Sequence, residues 1–133
     1  MSGNDGNFVS QEDVFKRLEK DENEAKEYGF YWKNINQILS QVQSECREVQ
    51  EAWNNNDKES LKSEIGDLLL ASMSVAIFCG LDLQETLLKS ADKFQDRFRT
   101  VLKLAKDDGY DNLQDQPFEV LINYWNRAKA QYK

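Results

Sequence analysis

The sequence contains no histidine. Ser-His-Asp and Cys-His nucleophilic catalysis are thereby excluded, as is every zinc site that uses imidazole. There is one proline, Pro117, and six glycines in 133 residues. β-Sandwiches and barrels need many more turn residues than this, so the scarcity points to long helices. The two cysteines, Cys46 and Cys79, form no C-x-x-C pair. Their surroundings in sequence are apolar, and they are read as buried free thiols of a reducing compartment. Basic residues are outnumbered, 17 Lys and Arg against 24 Asp and Glu, for a net charge of −7. That is the opposite of the electrostatic footprint of a nucleic-acid-binding module, and an anionic membrane surface repels it. The longest apolar stretch, Leu68 to Cys79, contains Ser72 and Ser74 and falls short of the ~20 residues that span a bilayer. The opening Met-Ser-Gly-Asn-Asp-Gly-Asn lacks the basic and apolar regions of a signal peptide. The expectation is a soluble cytoplasmic protein with neither nucleic acid nor membrane as partner.

What is present suffices for one core: 40% of the residues are hydrophobic and 11% aromatic. A single all-α domain over 1–133 is expected, with 1–9 as a disordered tail. Ser10 and Asp13 resemble a capping box that opens a short charged helix, which Gly29 ends. A second helix is predicted from Trp32 to Trp53. Its apolar positions Ile35, Ile38, Leu39, Val42, Cys46, Val49 and Trp53 recur at spacings of three and four. Asn54 to Asp57 break it, and Asp57 can cap a third helix. From Leu68 that helix is apolar on every side, so it is either the central helix of a bundle or packed partly on a second subunit. Asp82 and Glu85 form a capping pair for a fourth helix over Leu83 to Lys106. Pro117 suits the first turn of a last helix carrying Phe118, Leu121, Ile122, Trp125 and Ala128. The fold class is a helical bundle of four to five helices.

Two pairs of acids stand out. Glu45 and Glu48 are three apart on the second helix, and Glu64 and Asp67 are three apart on the third. That spacing puts both members of a pair on one face, one turn apart. With Val42 as the middle of the buried stripe, Glu45 falls about 60° off centre and Glu48 about 120°. Each pair lies some seven to ten residues from the Asn54–Asp57 turn, and helices joined by so short a turn run antiparallel. The pairs should therefore lie level. Four facing carboxylates repel unless a cation sits between them, and hard oxygen ligands without imidazole or thiolate suit Mg²⁺ or Mn²⁺. In so acidic a chain, a single E-x-x-E pair is most often only a solvated helix face. On the fourth helix, Lys89, Lys93 and Arg97 step by four. This row is either a solvated edge or an anion-contacting one. Acids that hold a divalent cation, together with a basic row, suit a polyphosphate. No G-x-x-x-x-G-K-[ST] loop is present to cradle phosphate through the backbone. Trp32 is a candidate shelf for a base, whereas Trp53 and Trp125 fall on apolar stripes and are read as core.

The acid pairs stand in Ser-Glu45-Cys-Arg-Glu48-Val-Gln-Glu51-Ala and Ser-Glu64-Ile-Gly-Asp67-Leu-Leu-Leu. Downstream come Gly80-Leu-Asp82-Leu-Gln-Glu85, Ser-Ala-Asp92-Lys93-Phe-Gln-Asp-Arg97-Phe98 and Tyr124-Trp125-Asn-Arg-Ala-Lys129. In this order the set resembles the MazG-like nucleoside triphosphate pyrophosphohydrolases, from about Ile35 to Lys129. The resemblance implies an all-α fold that dimerises, as a dimer or a dimer of dimers. It also implies Mg²⁺-dependent cleavage of the α–β phosphoanhydride to a nucleoside monophosphate and pyrophosphate. Carried over residue by residue, Glu45, Glu48, Glu64 and Asp67 match the family's metal ligands, and Lys93 and Arg97 its phosphate contacts. Many members read E-E-x-x-E where this chain has Ser44 in the leading place, which leaves Glu45 and Glu48 as alternatives for the general base. Phosphoribosyl-ATP pyrophosphohydrolases are relatives with similar motifs. A non-catalytic helical interaction module is the reading in which the acid pairs are merely solvated faces.

Overall fold

A computed structural model describes residues 12–131. Among them every regular element is an α-helix, as expected: α1 (Val14–Tyr28), α2 (Ile35–Asn54), α3 (Lys58–Phe78), α4 (Leu83–Asp107) and α5 (Phe118–Gln131). They form two compact units, divided between Gln84 and Glu85. No single helix in the described residues is long and apolar enough to cross a membrane.

In the first unit, α1 starts at Asp13, whose side chain accepts from the Lys16 N–H at 3.2 Å. Asp13 is thus the cap itself, not the N3 acid of a box begun at Ser10, which lies outside the described residues. Gly29, at φ 103°, takes the left-handed turn that closes α1. The second helix begins at Ile35, three residues later than the periodicity suggested. The Asn34 side chain caps it by accepting from the Gln37 N–H at 3.1 Å, while the Gln37 side chain accepts from the Lys33 N–H at 2.8 Å. At the other end Asn56 adopts φ 55°, and Asp57 caps α3 as expected, accepting from the Ser60 N–H at 3.1 Å and its hydroxyl at 2.8 Å. The result is an antiparallel α2–α3 hairpin.

The seam of that hairpin is not centred where the apolar stripe placed it. The buried residues of α2 are Ile38, Glu45 and Ala52, seven apart, while Ile35, Leu39 and Trp53 are exposed and Val42 half-buried. Glu45 therefore sits in the middle of the buried line, not 60° off it. At about 100° per residue, Cys46 is carried off the seam. Both Cys46 and Cys79, expected inside, are exposed free thiols; Cys79 follows the last turn of α3. Trp53, also expected in the core, is 66% exposed.

Among the described residues of the first unit, the third helix is not covered on every side. Ala71 and Ser74 are buried, but Ile65, Leu69, Leu70 and Phe78 are exposed, because within the unit only α2 and α1 lie against α3. Its serines are accommodated by back-bonding: the Ser72 hydroxyl donates to the Leu68 carbonyl at 2.9 Å, and Ser74 lies 3.1 Å from that of Leu70. Helix α1 buries no residue and attaches through carboxylates. Glu22 meets the Ser74 hydroxyl, and Glu19 accepts from the Leu83 N–H at 3.3 Å.

The second unit is built on α4 and α5. Val101, Ala105, Tyr124 and Ala128 form its core, flanked by Leu104, Tyr110, Leu113, Val120 and Trp125. Trp125 is half-buried, nearer to its expected place than Trp53. Pro117 precedes α5, and its carbonyl accepts from the Val120 N–H at 3.0 Å, consistent with its role as a helix starter.

Candidate metal centre

The hairpin register brings the acids together. Glu48 and Glu64 stand eight residues either side of Asn56, and Glu45 and Asp67 eleven. In an antiparallel pair, residues equally far from the turn lie level. Glu45, Glu48 and Glu64 each offer a carboxylate oxygen within 4.8 Å of the others. Asp67 stands beside this trio: it hydrogen-bonds with Glu64, and its charge reaches both Glu64 and Glu45. Glu45 is only 8% exposed, Glu64 is half-buried, and Glu48 and Asp67 are open to solvent.

The electrostatics follow from the crowding. Hydrogen bonding with Glu48 pushes the Glu45 carboxyl up to about 7. Burial adds to this, as do the charges of Glu48, Asp67 and Glu64. Glu64 is also raised, first by burial and then by Glu48 and Asp67. Among the described residues, every group acting on either acid raises it. A carboxylate cluster in that condition is under pressure to take up protons or a cation. All donors are oxygen, which fits a hard divalent ion and not a thiophilic one.

An open groove of about 290 Å³ adjoins the cluster, lined by Glu48, Glu51, Ala52, Asn55, Asp57, Ser60 and Glu64. Glu51, Asn55 and Ser60 escaped sequence reasoning as wall residues. The signal was available, since Glu51 continues the three-residue step from Glu48 and the other two flank the turn.

The remaining candidates are placed as follows. Lys93 is exposed on α4 and Arg97 half-buried, with the Arg97 guanidinium 5.8 Å from the centre of the Trp125 ring. Lys89, the first of the row, pairs with Glu85 at 3.5 Å. Trp32 lies just before α2 and is 37% exposed. Beside it, the Lys33 ammonium sits 4.1 Å from the centre of the Tyr31 ring.

Comparison with known sequences decides the family. Residues 33–102 match the MazG nucleotide pyrophosphohydrolase domain, a span that contains both acid pairs, Lys93 and Arg97.

The chain belongs to the MazG family.

It is 33% identical over 106 residues to the nucleoside triphosphate pyrophosphohydrolase/pyrophosphatase MazG of Thermotoga maritima, covering 80% of this chain and 40% of that protein. It is 27% identical over 117 residues to the nucleoside triphosphate pyrophosphohydrolase of Escherichia coli K12, covering 86% and 44%. A third relative, the uncharacterized protein YabN of Bacillus subtilis, is 38% identical over 72 residues, or 54% of this chain and 14% of YabN. The chain thus spans less than half the length of these MazG relatives. Trp32 falls one residue before the family match, and Trp125 lies beyond it.

Proposed function

We propose that this MazG-family chain is a Mg²⁺-dependent nucleoside triphosphate pyrophosphohydrolase, with Mn²⁺ able to replace Mg²⁺. The supporting observation is the trio of carboxylates within 4.8 Å of one another, of which Glu45 and Glu64 are pushed upward by neighbouring carboxylates and by burial. In this reading Glu45, Glu48, Glu64 and Asp67 hold the ion. When bound, the ion neutralises phosphate charge and polarises the α-phosphorus. Glu45 or Glu48 takes the proton of the attacking water. The water oxygen bonds to the α-phosphorus, the bond to the α–β bridging oxygen breaks, and pyrophosphate leaves with that oxygen. Lys93 and Arg97 are assigned the phosphates and the charge gathering on the leaving group. Trp32 is assigned the base, as an exposed ring on which it can stack.

Self-association belongs to the same reading. Leu69, Leu70 and Phe78 are 42–55% exposed on the most apolar of the described helices, and a second copy is the partner proposed for these exposed side chains of α3.

The test is a panel of ribo- and deoxyribonucleoside triphosphates, with phosphoribosyl-ATP included, assayed with and without Mg²⁺. Pyrophosphate and a nucleoside monophosphate in equal amounts, only with metal, is the expected result. Release of single phosphates, or no hydrolysis of any member, contradicts it.

A further inference from the structure

The second unit contains a polar lock that the acid cluster does not explain. Tyr124 is only 4% exposed, and its hydroxyl donates to Asp108 Oδ2 at 2.7 Å. The same oxygen accepts from the Arg127 guanidinium at 3.3 Å, and that guanidinium also lies over the Tyr124 ring at 5.1 Å. The Asp108 backbone N–H closes α4 by donating to the Leu104 and Ala105 carbonyls, each at 3.1 Å. One residue therefore ends α4 with its main chain and holds α5 with its side chain. A carboxylate at the negative end of a helix is electrostatically disfavoured. Here Tyr124 and Arg127 offset that cost and hold the Asp108 carboxyl below its ordinary range.

The consequence falls on the next residue. With the Tyr124 ring fixed in the core beside Val101, Ala105 and Ala128, the rotation of α5 about its axis is set. Trp125, about 100° further round, is directed toward α4. Its ring lies 5.6 Å from that of Phe94 and 5.8 Å from the Arg97 guanidinium, within reach of a cation–π attraction. Trp125 is thus one of the contacts of the Arg97 head group.

We propose that Asp108, through Tyr124 and Trp125, is a positioning residue that fixes the Arg97 guanidinium for a polyphosphate chain. The inference rests on the assignment of Arg97 to phosphate. It adds that the precision of that contact is set from the C-terminal end of α4, by a residue assigned no contact with substrate.

The test is calorimetric titration of the full chain with inorganic triphosphate in Mg²⁺. Asp108→Ala is expected to weaken binding about fivefold, and Asp108→Asn, which keeps an acceptor for the phenol, to stay within about twofold of wild type. In an Arg97→Ala background, Asp108→Ala is expected to cause no further loss. If Asp108→Ala fails to fold by circular dichroism, Tyr124→Phe removes the same bond and retains the ring. Unchanged binding in Asp108→Ala and in Tyr124→Phe overturns the inference, as do losses that add in the double variant, the pattern of a merely structural role. A wild-type chain that does not bind triphosphate overturns it too. A chain that binds triphosphate with the stated coupling, yet hydrolyses no nucleotide, contradicts the proposed function and leaves the positioning role standing.

Discussion

Glu45 is a carboxyl group in the wrong place for an ion of its own sign: 8% exposed, against a second carboxylate, with two more close by. Its value of about 7, against an ordinary 4.5, has a defined sign in stability. Between those values the folded, metal-free chain binds more protons than the unfolded one. The contribution is present in full below about 4.5 and is lost as pH rises through about 7. Without metal, the melting temperature is expected to fall between about pH 5 and pH 8. Millimolar Mg²⁺ should restore it at the alkaline end by binding the folded state. Glu45→Gln should flatten the metal-free profile, and a profile equally steep in that variant would show that Glu45 is not its source. Asp108 acts in the opposite sense: its carboxyl is lowered, so its contribution is present at neutral pH and lost in acid. Removing a cation-holding oxygen should act on chemistry and not on folding. Glu64→Gln or Asp67→Asn is expected to reduce pyrophosphate release about 100-fold with an unchanged or higher metal-free melting temperature. Activity within a few-fold of wild type would remove those residues from the mechanism.

At the scale of the helix, the α2–α3 hairpin is what makes four separate acids one cluster. Ile38, with 0% exposure, anchors its seam. Ile38→Ala is expected to cost about 2–4 kcal/mol in urea unfolding, and a cost under about 1 kcal/mol would show that the seam does not depend on it. Asp57→Ala, which removes the cap of α3, should lower the melting temperature by about 5 °C. The hairpin was legible in advance because its cues are local: the Asn-rich break, the Asp57 cap and acids at matching distances from the turn. The centre of the buried seam was not. A hydropathy stripe weights Val42 and Cys46 and ignores Glu45, whereas the fold puts Glu45 on the buried line of Ile38 and Ala52. Cys46 and Trp53 were misplaced by the same centring, whereas Cys79 is exposed just past the last turn of α3. The Asp108–Tyr124–Arg127 lock was unreadable for a different reason. It joins residues 16 and 19 positions apart across a loop, a contact that no periodicity encodes.

For the molecule as a whole, the unfinished surface is as informative as the core. Leu69, Leu70 and Phe78 on α3 are 55%, 44% and 42% exposed, and large apolar side chains left open on a helix are a cue to association. Sedimentation at micromolar concentration is expected to show a dimer or larger, and a Leu69→Asp/Leu70→Asp double variant should shift it toward monomer. A wild-type chain that sediments only as monomer removes the second copy from that face. The proposed reaction depends on whether the facing acids of the hairpin share an ion. The most direct measurement is titration of the metal-free chain with Mn²⁺, followed by the paramagnetic signal of the free ion. Wild type should take up Mn²⁺ with displacement by Mg²⁺, and Glu45→Gln and Glu64→Gln should each lose most of that uptake. Mn²⁺ that stays free in the presence of wild type, or binds the variants equally well, would contradict a cation held between α2 and α3.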